Sequence, residues 1–145
     1  EGGDRNAESV HNNAVSALGK LILLQRQHFD ASDIVPFFVS TFPLRFDVDE
    51  SRVATQQLCK MIQDGVPEIF GADASGLSAA LAALASVLTV EAVITERLAI
   101  RIVSITRGLQ AVLPPEVFDG VVGAMPEEQR SNLERVLADP KLEAV

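Results

Sequence analysis

The chain has 145 residues, 48% of them hydrophobic, which is enough for one domain with its own core and too apolar for a disordered segment. Its net charge of −8 excludes ready binding to nucleic acid or to an anionic membrane surface, because both would be repelled, and leaves basic proteins as the attracted class. A lone cysteine, Cys59, cannot form an internal disulfide and fits a reducing compartment. With no Trp, no Tyr and an apolar set of mostly Ala, Leu, Val and Ile, the composition favours helices over a β-sandwich. The polar, acidic start carries no signal-peptide pattern, and the absence of an initiating Met suggests an excised piece of a longer protein.

Residues 1–6 read as a disordered lead and residues 7–145 as one helical domain. A first helix is expected over residues 7–27, with Val10, Ala14, Ala17, Leu21 and Leu24 spaced as a single apolar stripe, widened by Leu18 and Ile22. A second helix, over residues 32–42, would be capped by Asp30 or Ser32, and Pro43 would end it. Asp47 opens the third helix, with Glu50 in the capping-box relation and Ala54, Leu58, Met61 and Ile62 on the buried face. Gly65 and Pro67 stop it, and the glycines between positions 65 and 76 read as a turn-rich loop.

The uncharged run over residues 74–90 is too short to span a bilayer at about 20 residues, so it reads as a buried core helix. Leu77, Leu81, Leu84 and Leu88 supply its core positions, and the alanines between them allow close helix approach. A long fifth helix is expected over residues 91–113, with Leu98, Ile102, Ile105, Leu109 and Val112 in register and Arg97, Arg101 and Arg107 on other faces. Short helices over residues 115–123 and 126–138 follow, the second opened by Pro126 and the acids Glu127 and Glu128. No segment alternates as a strand does. The pattern of helix, turn and helix repeats at roughly 40 residues, the period of HEAT or armadillo arrays, although a plain bundle gives the same local pattern.

Motifs for chemistry are absent. His11 and His28 are seventeen positions apart and distant from Cys59, which is no metal-ligand spacing, so no metal or cofactor is expected. No Walker loop, dinucleotide fingerprint or nucleophile elbow occurs, and the chain does not read as an enzyme. Cys59 beside the apolar face of the third helix reads as a buried structural thiol. The cluster Asp47, Asp49 and Glu50 has two readings, helix capping with dipole complementarity or an acidic patch for basic protein segments, and the two roles can coexist.

The run Asn13-Ala14-Val15-Ser16-Ala17-Leu18-Gly19-Lys20 resembles a stretch near the C-terminus of importin-five-like karyopherins, within the importin beta superfamily. Similar motifs follow in the family's order. They are Ile34-Val35-Pro36, the turn from Thr41 through Pro43-Leu44 to the acids at 47–50, Leu58-Cys59-Lys60-Met61-Ile62, and Pro67-Glu68-Ile69-Phe70-Gly71. Phe42 stands where the family usually has Leu, and after Gly71 the match is one of helix order only.

The resemblance implies an all-α fold, a right-handed α-α superhelix of HEAT-repeat helix pairs with about three repeats and a C-terminal cap. It implies the C-terminal part of a nuclear import receptor, moving between cytoplasm and nucleus. Cargo proteins with basic segments would meet Asp47, Asp49 and Glu50, and phenylalanine-glycine nucleoporins would meet apolar grooves. The small GTPase Ran would bind N-terminal repeats that this sequence lacks. A stand-alone helical-repeat scaffold or adaptor is the alternative, with neither nucleic acid nor membrane as a partner in either case.

Overall fold

The computed structural model describes residues 2–45, 47–71 and 75–143. Among these, eight α-helices follow one another and no strand occurs. They are α1 (Gly2–Gln25), α2 (Ile34–Ser40), α3 (Val48–Gln63), α4 (Pro67–Phe70), α5 (Ser75–Val87), α6 (Glu96–Val112), α7 (Pro115–Gly123) and α8 (Glu127–Leu137). Turns of 3₁₀ helix follow α1 and α8, at Arg26–His28 and Pro140–Leu142.

Local chemistry accounts for most boundaries. Asp47 Oδ1 accepts from the Glu50 amide at 3.0 Å and caps α3. Gly65, at φ +68°, takes the left-handed conformation that turns the chain just past the C-terminal end of α3. Pro67 starts α4 at a position where its missing N–H costs nothing, with Glu68 beside it in the positive first turn.

Several expectations need correction. The backbone of α1 starts at Gly2, ahead of the expected start at residue 7; Glu1 lies outside the described residues. The turn-rich loop contains the extra helix α4, whose Ile69 is buried; Ala72, Asp73 and Ala74 lie outside the described residues. The cap of α2 is Asp33 with no side-chain bond, while Asp30 Oδ1 instead accepts from the Ser32 amide at 3.0 Å in a preceding turn. That turn, through the Ser32 hydroxyl first and its amide second, holds the Asp30 carboxyl below its ordinary range. Finally, α6 starts at Glu96 rather than 91. Thr95 Oγ1 accepts from the Leu98 amide at 3.1 Å, and β-branched Val93, Ile94 and Thr95 are poor helix formers.

The helices form two layers. In one, α1 packs on α3 and α3 on α6; in the other, α2 packs on α5 and α5 on α7 and α8. Side-chain contacts give the direction of the first layer. Ser16 meets Glu50 and, three residues on, Gly19 meets Gln57; Arg52 meets Val93 and Gln63 meets Arg101. The numbers rise together on both partners, so α1, α3 and α6 run parallel. Short connections then require α2 and α5 to run back between them.

The core joins both layers. Ala54, Leu58, Met61 and Ile62 of α3 are buried as their spacing requires, as are Leu77, Leu81 and Leu84 of α5 with Leu88 just beyond it. Leu98, Ile102, Ile105 and Leu109 are buried on α6, but Val112, in its last turn, is 76% exposed because no element covers it. The larger correction concerns α1. Val10 is 67%, Leu24 59% and Leu21 44% exposed, and Ala14 and Ala17 are exposed too. The side of α1 turned inward carries Val15 and Ile22 together with Asn12, Ser16 and Gly19. The helices α2 and α3 that pack on α1 lie on that side, so among the described residues no helix covers the regular apolar stripe.

The other end is closed. Phe118, Val121, Met125, Leu133 and Val136 are buried from the α7–α8 segment against α5 and α6. Glu116, Asp119, Glu127, Glu128 and Glu134 face solvent. Truncation after Leu113 should strip this cover, lower the melting temperature and drive self-association, readable by sedimentation velocity. A monomeric truncation with an unchanged melting temperature would contradict the capping role.

Candidate functional site

The three carboxylates singled out from the sequence lie at the start of α3, where it meets α1. Asp47 is spent on the cap. Glu50 accepts a hydrogen bond from the Ser16 hydroxyl of α1. Asp49 is the exposed member. Buried Asn12 holds the same corner: its side-chain oxygen accepts from the Asp47 amide at 3.1 Å and its NH₂ donates to the Glu8 carbonyl at 3.2 Å. One helical turn further, Gln57 Nε2 donates to the Ser16 carbonyl at 2.8 Å. The acidic turn is therefore first a fastening between two helices, and only Asp49 is left wholly to solvent.

Gly19 explains why α1 and α3 come so close. A Cβ there would meet the Gln57 amide and stand 2.9 Å from Phe38 Cε2. The Ala-Leu-Gly segment thus has a packing reason for its glycine, one that depends on a helix thirty or more residues away.

Two of the surface grooves lie between helices of the same layer. One, of about 250 Å³, lies between α2 and α5; Pro36, Val39 and Phe42 form one wall and Ala79, Ala82 and Ala83 the other. Ile69 of α4 contributes to its floor, and Glu68 and Gln129 stand at its rim. Glu68 is held at 3.5 Å by Arg26, whereas Gln129 Oε1 is buried with no donor. This volume lies below the roughly 300–1,000 Å³ of small-molecule pockets and suits one inserted side chain. The second groove, between α3 and α6, is mixed in character, with Leu98 and Ile100 beside Arg97 and Arg101. Neither groove was legible in the sequence, because each is made by residues from separate helices.

His11 and His28 are exposed. Among the described residues no group of three or more His, Cys, Asp or Glu is placed to hold a metal, and no helix is long and apolar enough to cross a membrane. Cys59 is fully buried, and that burial pushes its thiol up to about 11 against the opposing pull of the Arg101 guanidinium. Comparison of the chain with family models, with curated proteins and with solved structures finds no match.

Two outcomes follow from this geometry. Gly19→Ala would favour an exposed helix by about 1 kcal/mol, but here overpacking costs about 1–3 kcal/mol, so a net loss of up to about 2 kcal/mol is expected in urea melts. A gain in stability would contradict the close approach. Cys59 should resist thiol reagents until the chain unfolds. Its raised value also sets a pH window: the unfolded thiol ionises from about pH 9.0 while the folded one stays protonated to about 11, so stability present below pH 9.0 declines across that interval. Rapid labelling of the native protein would contradict the burial.

Proposed function

We propose that this chain is a C-terminal segment of a HEAT-repeat import receptor of the importin beta type, working by binding proteins rather than by catalysis. The proposed architecture is a right-handed superhelix in which α1, α3 and α6 line the concave side and α2 and α5 the outer side, with α7–α8 as the terminal cap. The observation that carries the reading is the parallel course of α1, α3 and α6. Neighbours in an up-and-down bundle run antiparallel, whereas stacked helix pairs place equivalent helices side by side and parallel. The unlike ends support it as well: the exposed stripe of α1 is the face an adjoining repeat would cover, while α7–α8 are polar outside.

The groove between α2 and α5 is the proposed seat for phenylalanine-glycine nucleoporins. A phenylalanine ring enters between the alanines of α5 and Pro36. One buried ring supplies about 1.5–3 kcal/mol, so a single site is weak and transport affinity builds from many such sites. On the concave side, Asp49 contributes to attracting basic cargo segments, at about 0.2–1 kcal/mol for an exposed pair, while Asp47 and Glu50 hold the turn that presents it. The protein would pass between cytoplasm and nucleus, and Ran would bind upstream repeats.

Nuclear magnetic resonance titration with a phenylalanine-glycine peptide tests this. Weak, saturable shifts should cluster on the residues of the α2–α5 groove. Ala79→Leu, which fills the groove from an exposed helical position, should abolish them while leaving the melting temperature unchanged. Shifts elsewhere, or shifts that survive Ala79→Leu, would remove the support for the nucleoporin reading.

A further inference from the structure

The groove between α3 and α6 has a volume of about 530 Å³ and is lined by Gln56 and Gln63 from α3 and by Arg97, Arg101 and Ser104 from α6, with Thr95 at one end. No acidic side chain lines it, in a chain that carries 20 Asp and Glu against 12 Lys and Arg. Arg97 and Arg101 are four residues apart, so they leave the same face of α6 about 6 Å from each other along its axis. Arg101 donates through Nε and Nη2 to Gln63 Oε1, at 3.3 and 2.8 Å, which fixes its guanidinium at the groove and leaves Nη1 to a ligand.

Neither arginine of this pair is in an ion pair among the described residues. Among the described residues the ion pairs are Arg26–Glu68 and Lys60–Asp64, so neither groove arginine has a carboxylate within 4.0 Å. Arg97 sits in the first turn of α6, where the helix dipole is already positive and a cation is disfavoured. Glu96 lies beside it in sequence, but adjacent helical residues point in different directions. A simple solvated face accounts for one arginine. It does not account for two on one wall, both without an acidic partner, facing a second wall of side-chain amides.

We infer that this groove binds an extended acidic segment of a partner protein, in which two carboxylates at alternate positions pair with Arg97 and Arg101. Side chains at i and i+2 of an extended chain leave one face about 6.6 Å apart, which matches the rise between the two arginines. The Arg97 guanidinium offers a carboxylate two parallel hydrogen bonds and Arg101 offers its Nη1, while Gln56 and Ser104 can serve the peptide backbone between them. The overall negative charge does not forbid this, because charges beyond about 8 Å are screened at physiological salt and the local pair decides. It does disfavour nucleic acid, whose long run of phosphates would meet the surrounding acidic surface. The inference stands apart from the transport reading and concerns a groove distinct from that between α2 and α5.

Fluorescence anisotropy with a labelled peptide of alternating Glu and Ser tests it, beside the same peptide with Gln for Glu and a single-stranded DNA of equal length. The Glu peptide should bind in a salt-sensitive manner and the other two at least tenfold more weakly. Arg97→Gln with Arg101→Gln should lower the affinity at least tenfold, and Arg101→Lys, which keeps the charge but loses the fork, several-fold. Circular dichroism checks that each variant remains folded. The inference is overturned if the Gln peptide binds equally, if the double variant binds unchanged, if the DNA binds more tightly, or if millimolar Glu peptide gives no change.

Discussion

The parallel register of α1, α3 and α6 is the constraint on which the remaining structure depends, and polar side chains set it. Apolar contacts are non-directional, so Leu58 or Ile102 alone would allow one helix to slide along the next. Hydrogen bonds across the layer forbid that. Asn12 holds the Asp47 amide, Gln57 holds the Ser16 carbonyl, and Arg52 reaches the carbonyls of Ala92 and Val93, both at 2.9 Å. Arg101 then holds Gln63. A shift of one turn would break these bonds together and strand Asn12, the buried member, and an unsatisfied buried polar group costs about 1–3 kcal/mol.

The other layer obeys a different constraint. It turns on α5, which touches α2, α3, α4, α7 and α8. Only a helix with small side chains can accept so many close neighbours, and Ala80, Ala83 and Ala85 are buried among the leucines. The same smallness opens the groove beside α2: where Ala79 and Ala82 face Pro36 and Val39, no large side chain fills the space. Close packing on one side of α5 and an open apolar slot on the other thus share one cause.

Arg52 fixes where α6 begins. By holding the carbonyls of Ala92 and Val93 it keeps the segment before α6 out of helix, and Thr95 then caps the helix that follows. The start of α6 decides which faces Arg97 and Arg101 occupy, and so where the groove between α3 and α6 lies. A sequence reading that begins this helix at 91 misses the groove because the deciding contact comes from a residue forty positions earlier.

Local chemistry alone determined much here: the all-helical class, the Asp47 cap, the buried faces of α3 and α5, the breaks at Pro43 and Pro114-Pro115, the cap-like α7 and α8, and a buried Cys59. These follow from periodicity, propensity and capping, which act within a few residues. Helix α4 was legible too, in Pro67-Glu68, but glycines on either side masked it. Of the candidate site, the residue positions were legible and their tasks were not. Only the tertiary structure decided that Asp47 and Glu50 fasten two helices while Asp49 stays exposed, and that α1 turns Asn12, Ser16 and Gly19 inward and its apolar stripe outward. Periodicity reveals that a helix has an apolar face, but burial needs a neighbour on that side, and neighbours are supplied by distant parts of the chain.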